Sequence, residues 1–465
     1  MNLKQSLTSR SAKDFFNLFF SNIFQKFLGL VREPVIAVFF GSGPLFTAYL
    51  MLRTGANLFS QFTVGNALKA NLLPKFTKIY SSYKLVSLSR VSLFSRKSML
   101  FLFIISQLVQ SFIIIYLSSN PIIYEIQEEL KLYLGINISH SDVILLFFLI
   151  SILLSLSICF NFFNMVYLTI MQSKGKFFKY SVATTLNSLV VAILIIPFSL
   201  FFHVLGLVIS RFIGILTLTI SYILPMNKNT EGYEVDLNSK DINIPILILG
   251  NFANIIIVSS QLIAGLDNTG ANSNITYFYY AVFILNAILT SVIGNVSTLL
   301  LKKISLHRHT KWLIYSLALS VFIGTLMSII FYFFSYEVIY IIYIGADYVI
   351  TYFLDLFFNF SISSKFGIEE VLLTSKYLYQ LSYSFIFIFI STILFQPFFS
   401  LPHRDTRRLR SIMSSIFIFV VFGGILILSF FDIDVKIKSL ILIYCSSFVS
   451  VLLSIFSYKK YLSFV

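Results

Sequence analysis

Charge is what this chain lacks. Of its 465 residues only 11% are Asp, Glu, Lys or Arg, too few to cover the surface of a soluble protein of this length. Acids are the rarer sign, 19 against 34 bases, for a net charge of +15. In a soluble protein that excess would suggest a nucleic-acid partner; beside 57% hydrophobic residues it does not. The two cysteines, Cys159 and Cys445, each lie inside an apolar run, which excludes a disulfide framework and a thiolate metal site. His307 and His309 stand in a basic loop without acidic or thiol companions, so no metal is expected there. No glycine-rich phosphate loop ending in Lys-Ser/Thr is present, which excludes an ATP-driven pump in one chain. Phe40 to Gly43 (FGSG) reads as a turn, not a nucleotide fingerprint. Catalytic constellations are missing too, and neither a cofactor nor an enzymatic activity is expected. Lys4, Arg10 and Lys13 precede the first apolar run with no small-residue cleavage site, so an uncleaved start is expected rather than a signal peptide.

What the chain has is long apolar runs of about 20 residues, continuous rather than alternating, the mark of membrane helices and not of a barrel. The fold class is an all-α polytopic membrane protein. Twelve spans are expected, at 16–40, 45–68, 98–118, 143–171, 178–198, 200–224, 244–266, 275–300, 313–335, 376–400, 411–431 and 438–457. The segment 336–375 carries scattered charge and suits short interfacial helices better than a further span. With the spans numbered in order, 25 of the 34 Lys and Arg residues fall on one side, in the termini and the loops after even-numbered spans. The positive-inside rule makes that side cytoplasmic, with both termini there. A repeat offset of about 228 residues relates the ends of spans 2 and 4 to those of 8 and 10. Such parallel repeats predict two six-helix lobes, 1–226 and 244–465, joined by an acidic cytoplasmic linker, 227–243, with a solute path between them.

Ionised groups at membrane depth cost roughly 2.5–3.5 kcal/mol each even on insertion scales, so they persist where they face a polar cavity. Lys26, Gly29 and Glu33 share one face of span 1, Arg32 flanks it, and Pro34 predicts a kink near Leu30. Lining a cavity is one reading; snorkelling of Lys26 and Arg32 to opposite interfaces is the other. Arg53, Asn57, Ser60 and Gln61 make a polar stripe on span 2, lining a cavity or joining helices by hydrogen bonds. Arg211 in span 6 either pairs with Glu33 or lines the same cavity. Asn251, Asn254, Ser259, Ser260 and Gln261 in span 7 read as inter-helix hydrogen-bond glue, with a coupling-cation site as the alternative. Tyr277 to Tyr280 reads as an interfacial aromatic belt. The basic loop Lys69–Lys97, with seven cations and no carboxylate, is expected against anionic lipid headgroups.

Lys26-Phe27-Leu28-Gly29-Leu30-Val31-Arg32-Glu33, then Phe40 to Gly43, Asn57 and Gly65 to Pro74, resemble the N-terminal signature of the MurJ/MviN lipid II flippase family of the MOP exporter superfamily. Two further patches, Tyr279 to Leu301 and Pro397 to Arg410, resemble that family in the expected order. The resemblance implies two lobes around a central cationic cavity and alternating access for a polyprenyl-pyrophosphate-linked sugar. It places Arg32 at a required arginine, Asn57 at an asparagine of the cavity, and Lys26 where the family has arginine. Thr47, Ser60 and Phe283 stand where the family carries charge, and twelve spans are expected where lipid II flippases usually have fourteen. The substrate expected is therefore another lipid-linked glycan, such as an O-antigen or capsule unit. Its binding residues would be Lys26, Arg32, Glu33, Arg53, Asn57, Gln61 and Arg211, in a monomer of the cytoplasmic (inner) membrane. A cation-coupled small-molecule exporter of the MATE branch is the alternative, and a membrane glycan polymerase a third class.

Overall fold

The computed structural model of the chain describes residues 24, 25, 27–29, 31–63, 66–83, 86–226, 233–235, 237, 243–266, 274–294, 296, 297, 300, 301, 304, 311–358, 364–401 and 403–463. Its main helices begin with α1 (31–40), α2 (Pro44–Thr63), α3 (Asn66–Ser82), α4 (Ser89–Ser119), α5 (Ile122–Leu134), α6 (His140–Ser173) and α7 (Phe177–Leu218). They continue as α8 (Ile244–Gly250), α9 (Phe252–Ala264), α10 (Asn274–Ile288), α11 (Lys311–Ile339), α12 (Ala346–Phe358), α13 (Ile368–Leu394), α14 (His403–Phe430) and α15 (Val435–Leu462). Among the described residues eight helical stretches are long and apolar enough to cross a membrane, or nine if one bent pair counts as a span. The chain is a multi-pass, all-helical membrane protein.

Its contacts divide it into two compact units. The first comprises Met1–Glu33, Gly55–Ser118 and Ser141–Leu247. Along α6 the buried residues Val143, Phe147, Ile150, Leu154, Ile158, Phe162, Val166 and Ile170 recur at three- and four-residue spacing, one stripe turned to the core. Phe162, Val166 and Ile170 of that stripe share one core with Leu72 and Phe76 of α3, Val91 of α4 and Ala183 of α7. Apolar packing alone gives little preference for one neighbour over lipid, so polar pairs set the register. Ser106 and Ser155 lie 2.8 Å apart, and the Gln110 amide donates to Ser155 at 2.7 Å and to Ser106 at 3.0 Å.

Spans expected at 178–198 and 200–224 fall within one helical stretch, and α7 resolves how. His203 has φ 52°, ψ −135°, a break in the helix. A Cβ on Gly206 would stand 2.0 Å from the Phe198 carbonyl oxygen, and one on Gly214 would stand 2.7 Å from Asn187 Oδ1. In a straight helix eight residues separate such groups by about 12 Å. The chain therefore doubles back, and α7 is two antiparallel helices with the corner at His203. The linker is anchored as well: Val86–Ser87 (β1) pairs in parallel with Tyr233–Glu234 (β2), and Val235 and Leu237 are buried in the same core.

The second unit comprises Pro34–Thr54, Ser119–His140 and Ile248–Val465. Its central helix is α13, which packs on α10, α11 and α15 through Val371, Leu378, Leu381, Phe385 and Ile388. A Cβ on Gly324 would lie 3.3 Å from the Ile386 Cα, so α11 and α13 touch nearly backbone to backbone. On α15, Ser439, Ser446, Ser447, Ser450, Ser454 and Ser457 are all fully buried. Each returns its hydroxyl to a carbonyl three or four residues back, which lets small side chains pack without an unsatisfied donor.

Two expectations are corrected here. The seventh span is not one helix: α8 and α9 meet at 71°. Gly250 and Asn251 are poor helix formers, and Asn251 leaves helical geometry at φ −114°, ψ 15°. The ninth span does not stop near residue 335 either. After a kink at Phe334 the helix runs through a wide turn, Tyr340–Gly345, into α12.

Arg410 is a further difference. Counted among the cations of the loop after span 10, it is 2% exposed and donates to the carbonyls of Phe398 and Leu401, both at 3.1 Å, closing the short helix Gln396–Ser400. Replacing it with Ala removes two hydrogen bonds from a charged donor, worth about 1.5–3 kcal/mol each. Arg410→Ala should therefore melt well below the wild type in detergent; an unchanged melting temperature would show the cap to be dispensable.

Candidate functional site

Taking the expected binding residues in chain order, Lys26 lies outside the described residues, and the kink expected near Leu30 does too. Arg32 and Glu33 are brought together. The Arg32 guanidinium donates to Glu33 Oε1 from Nε at 3.1 Å and from a terminal nitrogen at 2.6 Å. Glu33 is fully buried, whereas Arg32 is one-quarter exposed. The pair thus supplies a countercharge to a carboxylate that could not stand ionised alone at that depth. One ion pair of Glu33 is therefore with its own neighbour in the sequence.

Arg53 sits mid-way along α2, half-buried, with its guanidinium carbon 4.9 Å above the ring of Tyr279 from α10. That is a cation on an aromatic face, worth about 2 kcal/mol when desolvated. Asn57 follows one turn later on α2, and Arg211 lies on α7 beyond its corner; both are half-buried. Gln61 falls within α2, but its side chain is outside the described residues. Among the described residues no group of three or more His, Cys, Asp or Glu could hold a metal ion.

Tyr279 was part of the expected aromatic belt, and that reading is corrected. Phe278 and Tyr280 are wholly buried and Tyr279 is 9% exposed. The Tyr280 hydroxyl donates to the Gly41 carbonyl at 3.1 Å, and the Tyr343 hydroxyl to the Tyr280 carbonyl at 3.2 Å. An aromatic run between two polar segments reads the same in sequence whether it faces headgroups or a protein neighbour; only the fold supplies the neighbour.

Tyr280 leads to a polar clasp that sequence reasoning missed. The turn Phe40–Gly43 stands between α1 and α2, as expected, with Gly41 at φ 50°. Glu129, on α5, accepts from the Leu45 backbone N–H at 3.0 Å, which caps the first turn of α2, and pairs with Lys365 at 3.1 Å. The Lys365 N–H donates to the Val38 carbonyl at 3.0 Å, and Ser42 donates to Glu370 at 3.1 Å. Segments that the charge count assigned to one side of the membrane, 41–43, 119–140 and 336–375, therefore do meet. Lys365 and Glu129 both lie in segments placed on the same side by the charge count, but nothing in the sequence joins residues 236 positions apart.

The Glu129–Lys365 pair is partly exposed, so its worth is at most about 1 kcal/mol and falls with salt. Glu129→Gln keeps an acceptor for Leu45 and loses the charge. Its melting temperature should be slightly lower than wild type at low salt, and the gap should close as salt is added. A gap independent of salt would contradict an ion pair.

No family profile matches the chain, and no curated protein matches it by sequence. Solved structures do match. The chain is similar to the lipid II flippase MurJ in an inward closed conformation, with a TM-score of 0.60 and 17% identity over 96% of this chain and 87% of that one. It is similar to MATE in complex with MaD5, with a TM-score of 0.50 and 13% identity over 96% of this chain and 94% of that one. A MOP superfamily transporter from Pyrococcus furiosus Vc1 also matches, at 0.50 and 12% identity over 97% and 95%. At these identities the likeness is one of fold, and it spans nearly the whole of each chain.

Proposed function

We propose that this chain, which has the fold of MOP-superfamily transporters, is a non-enzymatic flippase for a polyprenyl-pyrophosphate-linked glycan. It would work in the cytoplasmic membrane as a monomer with both termini cytoplasmic. Its proposed lobes, 1–226 and 244–465, would expose the substrate alternately to the two sides. The observation that carries this reading is Arg53: a guanidinium on an apolar span, laid on the ring of Tyr279. A planar fork held on an aromatic plate is suited to a diphosphate, which it meets with paired charge-assisted hydrogen bonds. Arg32 supports the reading, since it is held by Glu33 with a quarter of its side chain still exposed. The membrane potential could contribute roughly 2.3 kcal/mol per charge per 100 mV.

The test is flipping of a fluorescent undecaprenyl-pyrophosphate sugar in vesicles holding the purified protein. Losing a charge-assisted bond of about 1.5–3 kcal/mol corresponds to about 10- to 100-fold. Arg53→Gln should flip that much more slowly while staying folded, its melting temperature lowered only by loss of the contact with Tyr279, and Arg53→Lys should recover only part of the rate. Normal flipping by Arg53→Gln sinks the assignment. A second reading, cation-coupled export of small molecules, is favoured by one observation, the fully buried carboxylate of Glu33. Under that reading Glu33→Gln would abolish ion-driven export of toxic cations and leave lipid flipping irrelevant.

A further inference from the structure

The first unit carries a second cationic cluster, away from the residues considered above, where the ends of α3, α4 and α6 come together. Beyond α6 the chain reverses at Gly175, φ 68°, with the Gly175 and Lys176 N–H groups returned to the carbonyls of Gln172 and Met171. That closure fixes Lys174 and Lys176 at the helix end. The Lys174 ammonium lies 4.6 Å over the ring of Tyr80, near the end of α3. Tyr80 is within electrostatic reach of Tyr167 on α6, and Tyr167, hydrogen-bonded to Ser92, is within reach of Arg96 on α4. Lys174 and Tyr80 are thus in contact, with Lys176 within electrostatic reach of the first, Tyr167 of the second, and Arg96 of Tyr167.

Its charge is unbalanced. Among the described residues no ion pair involves Arg96, Lys174 or Lys176. Glu234, on the linker strand, is committed to Arg90 at 2.8 Å and Ser89 at 3.2 Å. Burial, and then the charge of Lys176, hold the Lys174 pKa below its ordinary value, so the fold tolerates this cation at a cost. The Tyr80 hydroxyl is buried and has no hydrogen-bond partner among the described residues. Burial pushes its pKa up to about 12, so at neutral pH it is a donor.

We propose that this cluster holds the phosphate of an anionic phospholipid headgroup, with Lys174, Lys176 and Arg96 supplying charge and the Tyr80 hydroxyl a neutral hydrogen bond. Two features favour a lipid over a soluble phosphate. Arg96 and Lys174 stand within a turn of the ends of the spans expected at 98–118 and 143–171, which is headgroup depth. Beside them Leu93, Leu100 and Phe101 of α4 and Phe178 of α7 are all more than half exposed, an apolar flank fit for acyl chains. The cluster takes nothing from the flippase reading and stands or falls separately.

The experiment is thermal stabilisation of the delipidated full chain in detergent, titrated with phosphatidylglycerol, phosphatidylcholine or inorganic phosphate. Wild type should be stabilised by phosphatidylglycerol well beyond the other two. A cation at the membrane surface is worth about 1 kcal/mol, so Arg96→Ala and Lys174→Ala should each weaken the lipid's apparent affinity about fivefold. Lys174→Ala also removes the cation from the Tyr80 ring, so Tyr80→Phe serves as the variant that keeps the packing. It deletes an unpartnered hydroxyl, and without lipid it should melt at or above the wild-type temperature. With phosphatidylglycerol its stabilisation should shrink. Equal stabilisation of all variants by phosphatidylglycerol, or of wild type by phosphatidylcholine, overturns the site. Free phosphate binding as tightly as the lipid, with the same dependence on Arg96 and Lys174, overturns the lipid assignment.

Discussion

Arg32→Ala should remove most of the folded protein from the membrane, not only its activity. The substitution leaves Glu33 fully buried with its ion pair deleted. Breaking a buried pair from one side costs about 3–5 kcal/mol, because the carboxylate, shut away from water, loses the countercharge that Arg32 supplies. The clean separation of fold from function is the double variant. Arg32→Ala with Glu33→Gln replaces the pair by a neutral side chain and should restore expression and melting temperature nearly to wild type. On the flippase reading it should still fail to flip a lipid-linked sugar, since the guanidinium is gone. Measurement is by fluorescence-detected gel filtration and melting in detergent, followed by vesicle flipping of the double variant. A stable Arg32→Ala protein would show that Glu33 is protonated or otherwise accommodated, and the pair would lose its structural role.

Gly41→Ala should be nearly as damaging, for a reason of space. Gly41 has a left-handed φ of 50°, which costs other residues about 1–2 kcal/mol. A Cβ there would lie 2.1 Å from the Lys365 carbonyl oxygen, a backbone atom that cannot rotate away. Moving that backbone breaks the 3.0 Å bond from the Lys365 N–H to Val38, worth about 1 kcal/mol more. The total, about 2–3 kcal/mol, falls on the clasp that joins the α1–α2 turn to Glu129 and Lys365. The variant should melt several degrees lower, and cysteines placed at 38 and 365 should cross-link less completely than in the wild-type background. An unaltered melting curve and full cross-linking would mean that the turn does not lie against Lys365.

Much of the architecture could be read without coordinates, because it follows from sums over neighbours in the chain. Hydropathy over about 20 residues fixes membrane helices one at a time. The Lys and Arg count sorts loops by side, and loops sorted together in this way, 41–43, 119–140 and 336–375, do converge on Glu129 and Lys365. The expected turn at Gly41 and the close succession of spans about residue 200 were legible for the same local reason. The break at Asn251 was not, since a single Gly-Asn step barely alters the average hydropathy of its span.

Among the site residues, Arg32 and Glu33 declared themselves as charges at depth, but not as each other's partner. Neighbours in a helix point about 100° apart, so their pairing depends on rotamers that packing decides. Tyr279, Glu129 and Lys174 gave no signal above an aromatic belt, an outer-loop acid and a solvated cation. Their meaning lies in the Arg53 guanidinium, the Leu45 N–H and the Tyr80 ring that each meets.

Composition and local pattern by themselves determined that this protein is helical, lives in a bilayer and carries cations within its spans, because transfer energy is a property of each segment alone. The tertiary structure decided which cation is neutralised, which rests on a ring and which group joins the clasp. Those outcomes turn on distances of a few ångströms between residues such as Gly41 and Tyr280, 239 positions apart, and the energy of a charge or a hydrogen bond is set at that range.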